Sequence, residues 1–457
     1  MRKVVYQPEG FSIGDAMPFF ENGYFYFYHY KHKNESNEIA QNWTLSTTKD
    51  FINYTDHGEL FRHGEKGDED YIFRSGTLLK KSDTYHLFYG GDKDAECVLH
   101  ASGKDIKCLH KDNFRLPIEK GYGPVEWRDP FVCWCNEINA YMLILGTRKI
   151  RGEKYHNGCT VWFSSTDLKN WEFKGDLWAP DQYTTHEMPD LFKIDNWWYL
   201  LISEYSDNTQ VIYRRSKSVL GPWEPASDDA LDGTSYFAGR TVTDNENRRF
   251  LCGWICGKKD GDDRSQFGGD NGMWIHQIYQ KNDGSLGTAV PDSIYKAFNE
   301  RRSLISNEEV VSSPYGRKEK ILGSISGSQF MIEAVIETNE AIAFSINLLE
   351  SKETGEAYEI KFLLSENRFC IGRTPNHGII PPDHFRGMEK LYRNCRLAGK
   401  KEYRIQLIYD DTFVIVYIDG TALSGRFYSK FGDNISVSVF NGRVSLKECH
   451  IREGLKD

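Results

Sequence analysis

A strongly aromatic strand recurs five times along the first two thirds of this chain, and that recurrence restricts the fold more than any other feature. The copies are YFYFYH from Tyr24, YHLFYG from Tyr85, YMLILG from Tyr141, WYLLIS from Trp198 and RFLCGW from Arg249. Their spacing of roughly 50 to 60 residues is that of a propeller repeat lengthened by loop insertions. Each copy continues into a polar-alternating strand and a turn, as in NWTLSTTKDFINY from Asn42 and VWFSSTDLKNWEF from Val161. β-branched and aromatic residues crowd these runs, while Gly, Asn, Asp and Lys separate them, as in antiparallel strands joined by hairpins. Five such units predict a five-bladed β-propeller, in which the first strand of each blade lines a central channel.

Three segments place a carboxylate at the start of that first strand: GDAMPFF around Asp15, EWRDPFV around Asp129 and HEMPDLF around Glu187. Each is followed within three residues by proline, at Pro18, Pro130 and Pro189. Copies two and five carry Ser75 and Arg240 nearby instead. Acidic residues also cap strand ends, which would account for any one of the three. Three in matched positions would converge in one funnel, and convergent carboxylates are what hydrolysis of a glycosidic bond requires.

At 457 residues the chain exceeds one ordinary domain. Aromatic residues make up 14% of it, which suits sheet packing and sugar-stacking surfaces. A net charge of −9 argues against nucleic acid as a partner, and no apolar run is long enough to span a bilayer. MRKVVYQPEGFSIGD has no apolar stretch behind its charges, so no secretory signal is read there and the protein is expected in the cytoplasm. The ten cysteines, among them Cys133, Cys135, Cys252 and Cys256, lack paired zinc spacing and are expected as free thiols. Asp262, Asp263 and Asp270 do not match the twelve-residue calcium loop, and that stretch reads as a flexible polar insertion in blade five that borders the funnel. No metal and no cofactor is expected.

Between residues 296 and 320 charge and polarity interrupt the rhythm. Beyond it come longer alternating strands, such as EAYEIKFLL and YRIQLIYDDTFVIVYIDG, with Asp-Asp, Asp-Gly and Asn-Gly turns that fit an antiparallel β-sandwich. The expected organisation is an all-β chain with a propeller over 1–300, a linker over 301–320 and a sandwich over 321–457. The composition is compatible with a monomer or with a homodimer formed through the sandwich.

Over most of its length the chain resembles glycoside hydrolase family 32, the β-fructosidases. The resemblance rests on RDP at Arg128 to Pro130, on E-x-P-D-L-F at Glu187 to Phe192, and on the Asp15 segment. It implies Asp15 as nucleophile, Glu187 as general acid and base, and Asp129 as stabiliser of the oxocarbenium-like transition state. Arg128 would orient Asp129 or donate to sugar hydroxyls, its planar fork suiting bidentate contacts. Trp43, Ser75 and Trp254 match family positions that flank or touch the sugar, and His29 stands where the family has glutamine. Trp43, Ser75, Trp254 and His29 are also plausible packing residues.

The first motif departs from the family's W-M-N-D-P-N-G, with Gly14 in place of asparagine and Ala16 in place of proline; Met188 replaces a cysteine after the acid/base glutamate. The implied activity is retaining hydrolysis of terminal β-fructofuranosyl linkages in sucrose, sucrose phosphate or short fructans. The alternatives are an inverting arabinofuranosidase or xylosidase of the family 43 type, and a non-catalytic sugar-binding propeller. The sugar that leaves is left open.

Overall fold

Alternation of apolar and polar residues along short strands forces each to bury one face, and in the computed structural model this is met by stacking small sheets around an axis. Residues 2–33, 42–92, 96–150, 155–204, 206, 208–376 and 390–456 are described. The first blade is the antiparallel set Phe11–Glu21, Tyr24–Lys33, Trp43–Thr48 and Tyr54–Phe61, paired in chain order. The second, third and fifth blades repeat it, with inner strands Ile72–Lys81, Arg128–Cys135 and Tyr236–Thr243. The fourth has three strands, Glu187–Ile194, Trp197–Glu204 and Gln210–Ser216, with isolated bridges from Ile212 to Ala230 and Arg215 to Glu224 in the outer position. Each inner strand packs against its neighbours and the first meets the fifth, which closes a five-bladed propeller.

A register break occurs near the start of every inner strand: at Gly14–Asp15, Ser75, Asp129–Pro130, Met188–Pro189 and Ala238–Gly239. Bulges bend a strand and re-aim its side chains, and here they recur at the channel mouth. Asp129, Met188 and Ala238 sit at φ 57°, 49° and 55°, in the left-handed region. Such conformations cost about 1–3 kcal/mol each and persist only where the surroundings hold them. Arg240 supplies part of that hold from blade five: its guanidinium donates to the Asp129 carbonyl at 2.8 Å and to Thr77 Oγ1 at 2.9 Å.

The C-terminal region is one ten-stranded antiparallel sheet folded over itself into a nearly closed β-sandwich. Asn434–Glu453 makes the fold possible, because its first part pairs with Ala343–Glu350 and its second with Gln329–Asn339. The corner between them is Asn441-Gly442, at φ 56° and 85°; a Cβ on Gly442 would lie 2.4 Å from the Glu340 carbonyl carbon. Residues 301–320, expected as a linker, fall almost wholly in the strand Arg302–Ser324, which runs along Asn434–Glu453 as an edge. Only Val310 and Ser312 of this edge strand are buried, with Leu304, Ile305 and Leu322 partly so, and register shifts at three points break up the alternation by which a strand is recognised.

The two regions share one core, in which Met331, Ile408, Phe413 and Ile415 pack with Tyr236, Leu251, Met273 and Ile275. The stretch around Asp262, Asp263 and Asp270 is part of the seam rather than a flexible insertion. Asp263 is buried, takes the Tyr428 amide at 3.0 Å and contacts the Tyr358 hydroxyl, while Asp270 pairs with Arg426 at 3.1 Å. Among the described residues, no group of three or more His, Cys, Asp or Glu could hold a metal ion. All ten cysteines are free, and among the described residues no helix is long and apolar enough to cross a membrane.

Candidate active site

The bulged ends of the inner strands meet in a cavity of about 380 Å³ lined by Asp15, Asp129, Glu187, Ser75, Arg128 and Trp254, with Gly14, Tyr30, His32, Arg74 and Asn271 beside them. Asp15 is fixed on both oxygens: Ser75 Oγ donates to Oδ2 at 2.6 Å and Trp254 Nε1 to Oδ1 at 3.1 Å. Burial, then the charge of Asp129, raises its pKa above the ordinary carboxylate value; the two hydrogen bonds and Arg128 pull the other way. Those donors leave a carboxylate presented to the cavity in a single orientation.

Glu187 precedes the blade-four bulge. Burial pushes its pKa up to about 8, against the pull of Arg128 and with the support of Asp129, Asp15 and Glu126. Arg128 contacts Glu187 Oε1 and lies 3.9 Å from Asp129 Oδ2. Burial opposes the Arg128 charge, but Asp129, Glu187, Glu126 and Glu96 outweigh it and keep the guanidinium protonated. Met188 has its role through the backbone, since its amide donates to Asp129 Oδ2 at 3.1 Å. The next motif residue, Asp190, is buried and accepts the Thr241 amide at 2.5 Å, tying blade four to blade five.

Burial raises both groups, but on Asp15 it is opposed by two hydrogen-bond donors while Glu187 has only the Arg128 charge against it, and unequal settings of this kind divide nucleophile from acid. Asp15, Asp129, Glu187, Arg128, Ser75 and Trp254 are thus brought together. Trp43 and His29 are not. His29 is fully buried, with Nδ1 2.8 Å from the Tyr30 carbonyl and Nε2 3.0 Å from Ser46 Oγ, and burial lowers its pKa to about 4. Adjacent strand residues point to opposite faces, so Tyr30 and His32 reach the cavity where His29 does not. Trp43 lies on the third strand and fills the space between blades one and two against Phe61, Phe73 and Tyr89.

Trp43→Ala is accordingly expected to destabilise the fold by about 3–5 kcal/mol. Chemical denaturation measures it; a stable variant with raised KM would instead return Trp43 to the sugar site. Gly14 also has a physical reason: a Cβ there would come within 2.8 Å of Tyr30 Cβ and 3.1 Å of His32 Nε2. Tyr30 and His32 occupy the room beside that position. Of the two further carboxylates beside Arg128, Glu126 precedes it by two residues in the same segment, while Glu96 comes from blade two and carries no local sequence signal.

Residues 11–277 match the glycosyl hydrolases family 32 N-terminal domain and residues 300–453 the family 32 C-terminal domain. The sucrose-6-phosphate hydrolase of Vibrio alginolyticus is 25% identical over 237 residues, 47% of this chain and 47% of that enzyme, so the match spans about half of either. The sucrose-6-phosphate hydrolase of Staphylococcus xylosus is 22% identical over 436 residues, 89% of this chain and 82% of that enzyme. Fructan 1-exohydrolase IIa from Cichorium intybus has the same fold, with a TM-score of 0.80 at 14% identity over 100% of this chain and 97% of its own.

Proposed function

We propose that this chain, which belongs to glycosyl hydrolase family 32 and is therefore a glycosidase, removes terminal β-fructofuranosyl units from sucrose, sucrose phosphate or short fructans with retention of configuration. The observation that carries the reading is Asp15, held by Ser75 and Trp254, in one cavity with a Glu187 that burial keeps protonated near neutral pH. The named activities of the Vibrio and Staphylococcus relatives, both on sucrose phosphate, support the substrate class.

In this reading Glu187 gives its proton to the glycosidic oxygen as the bond to the anomeric carbon breaks, and Asp15 attacks that carbon to form a fructosyl ester. Asp129 faces the positive charge that develops between the two events. Water then enters, Glu187 takes its proton, and the hydroxide oxygen displaces Asp15, so two inversions give net retention. Arg128 would return charge balance to Glu187 whenever it is ionised.

Product release from sucrose, sucrose 6-phosphate, inulin- and levan-type oligosaccharides and aryl arabinofuranosides tests the proposal. Free fructose, released first as the β anomer by proton NMR, is expected. Arabinose, an inverted anomer or no product from any of them would overturn it.

A further inference from the structure

Arg128 stands among more carboxylates than one guanidinium serves equally. Its NH2 group contacts Glu187 Oε1 and lies 2.8 Å from Glu126 Oε2; NH1 is 3.9 Å from Glu96 Oε1. Glu126 is fixed from its other side, because Thr185 Oγ1 donates to the same Oε2 at 2.8 Å. Glu126 and Thr185 each precede a cavity residue by two positions, Arg128 on blade three and Glu187 on blade four. The backbone of Glu126 is held at φ 70°, a conformation that bonds of this kind stabilise.

We propose that Glu126 is a positioning residue that shares the Arg128 guanidinium with Glu187, and so leaves Glu187 free to alternate between acid and base. The inference rests on the reading of Glu187 as the proton donor. Glu126 and Glu187 stand as ion-pair partners of the same NH2 group, so the two carboxylates share one positive charge. Without the Glu126 charge, Arg128 turns wholly to Glu187 and one repelling carboxylate is lost, and both changes favour ionised Glu187. The charged and titratable groups facing this pair are Asp15 and Asp129 on the inner strands, Glu96 with Arg74 at 3.5 Å, and Tyr30 and His32 in the cavity wall.

Glu126→Gln keeps an oxygen for Thr185 and removes the charge. The experiment measures kcat/KM against pH for the parent and this variant, on sucrose and on an aryl β-fructofuranoside whose phenol leaves without protonation. On sucrose the basic limb of Glu126→Gln should lie lower by roughly half to one pH unit, giving a several-fold loss near pH 8 and little near pH 6. Superimposed limbs on sucrose overturn the proposal. Thr185→Val frees Glu126 but keeps its charge, so its limb should move less; equal shifts would mean general disturbance and also overturn it. On the aryl substrate the basic limb should vanish in the parent, and its persistence would instead overturn the assignment of Glu187 on which the proposal stands.

Discussion

Asp15→Asn is expected to lower kcat by about 10⁴-fold or more, as loss of a nucleophile does elsewhere, while leaving the melting temperature unchanged or higher. The two halves of that expectation come from one geometry. Asparagine has the shape of aspartate, so its side chain still meets Trp254 Nε1 and Ser75 Oγ, which in the parent lie 3.1 and 2.6 Å from the carboxylate oxygens. It has no anionic oxygen to bond the anomeric carbon. It also lifts the desolvation that raises the pKa of Asp15 in the folded chain. Active sites often hold such charges at a cost in stability, and neutralising them returns some of it. Calorimetry beside steady-state kinetics checks both halves; substantial residual kcat would remove Asp15 from the nucleophile's place.

The blades and the carboxylate positions were legible because the inner strands repeat a local pattern, with carboxylate, proline and apolar strand adjacent in the chain. What the residues did not show was which face or layer a given side chain occupies. His29 and Tyr30 are neighbours in one aromatic run, and only the register set by the Gly14–Asp15 bulge decides which of them faces the cavity. Trp43 pairs directly with Tyr30 but stands on the third strand, away from the axis. Polarity misled in the same way at Asp263 and along Arg302–Ser324. Asp263 is polar yet buried because the sandwich supplies its donors, and Arg302–Ser324 is polar because it is an edge strand open to water. Of the carboxylates around Arg128, Glu96 reaches it from blade two, a meeting that no spacing in one strand predicts, whereas Glu126 stands two residues before it in the same segment and only its φ of 70° turns it back toward the guanidinium.

Glu187→Gln should lower kcat/KM on sucrose by about 10²–10⁴-fold, the range of a lost general acid, yet change the same quantity far less for an aryl β-fructofuranoside whose leaving group needs no proton. Azide, which attacks without deprotonation, should then restore turnover of the fructosyl ester and yield a β-fructosyl azide. Equal losses on both substrates would exclude Glu187 as the proton donor. Stability supplies a second, independent readout. The folded chain holds the Glu187 proton with a pKa of about 8 against an ordinary 4.5, so protonation favours folding. That contribution is fully present below pH 4.5 and is lost as pH rises through 8. The melting temperature of the parent should therefore fall relative to Glu187→Gln across that window and keep a constant offset above it. A gap that does not change with pH would mean that burial does not hold the proton on Glu187, and the acid would have to be sought among the other carboxylates of the cavity.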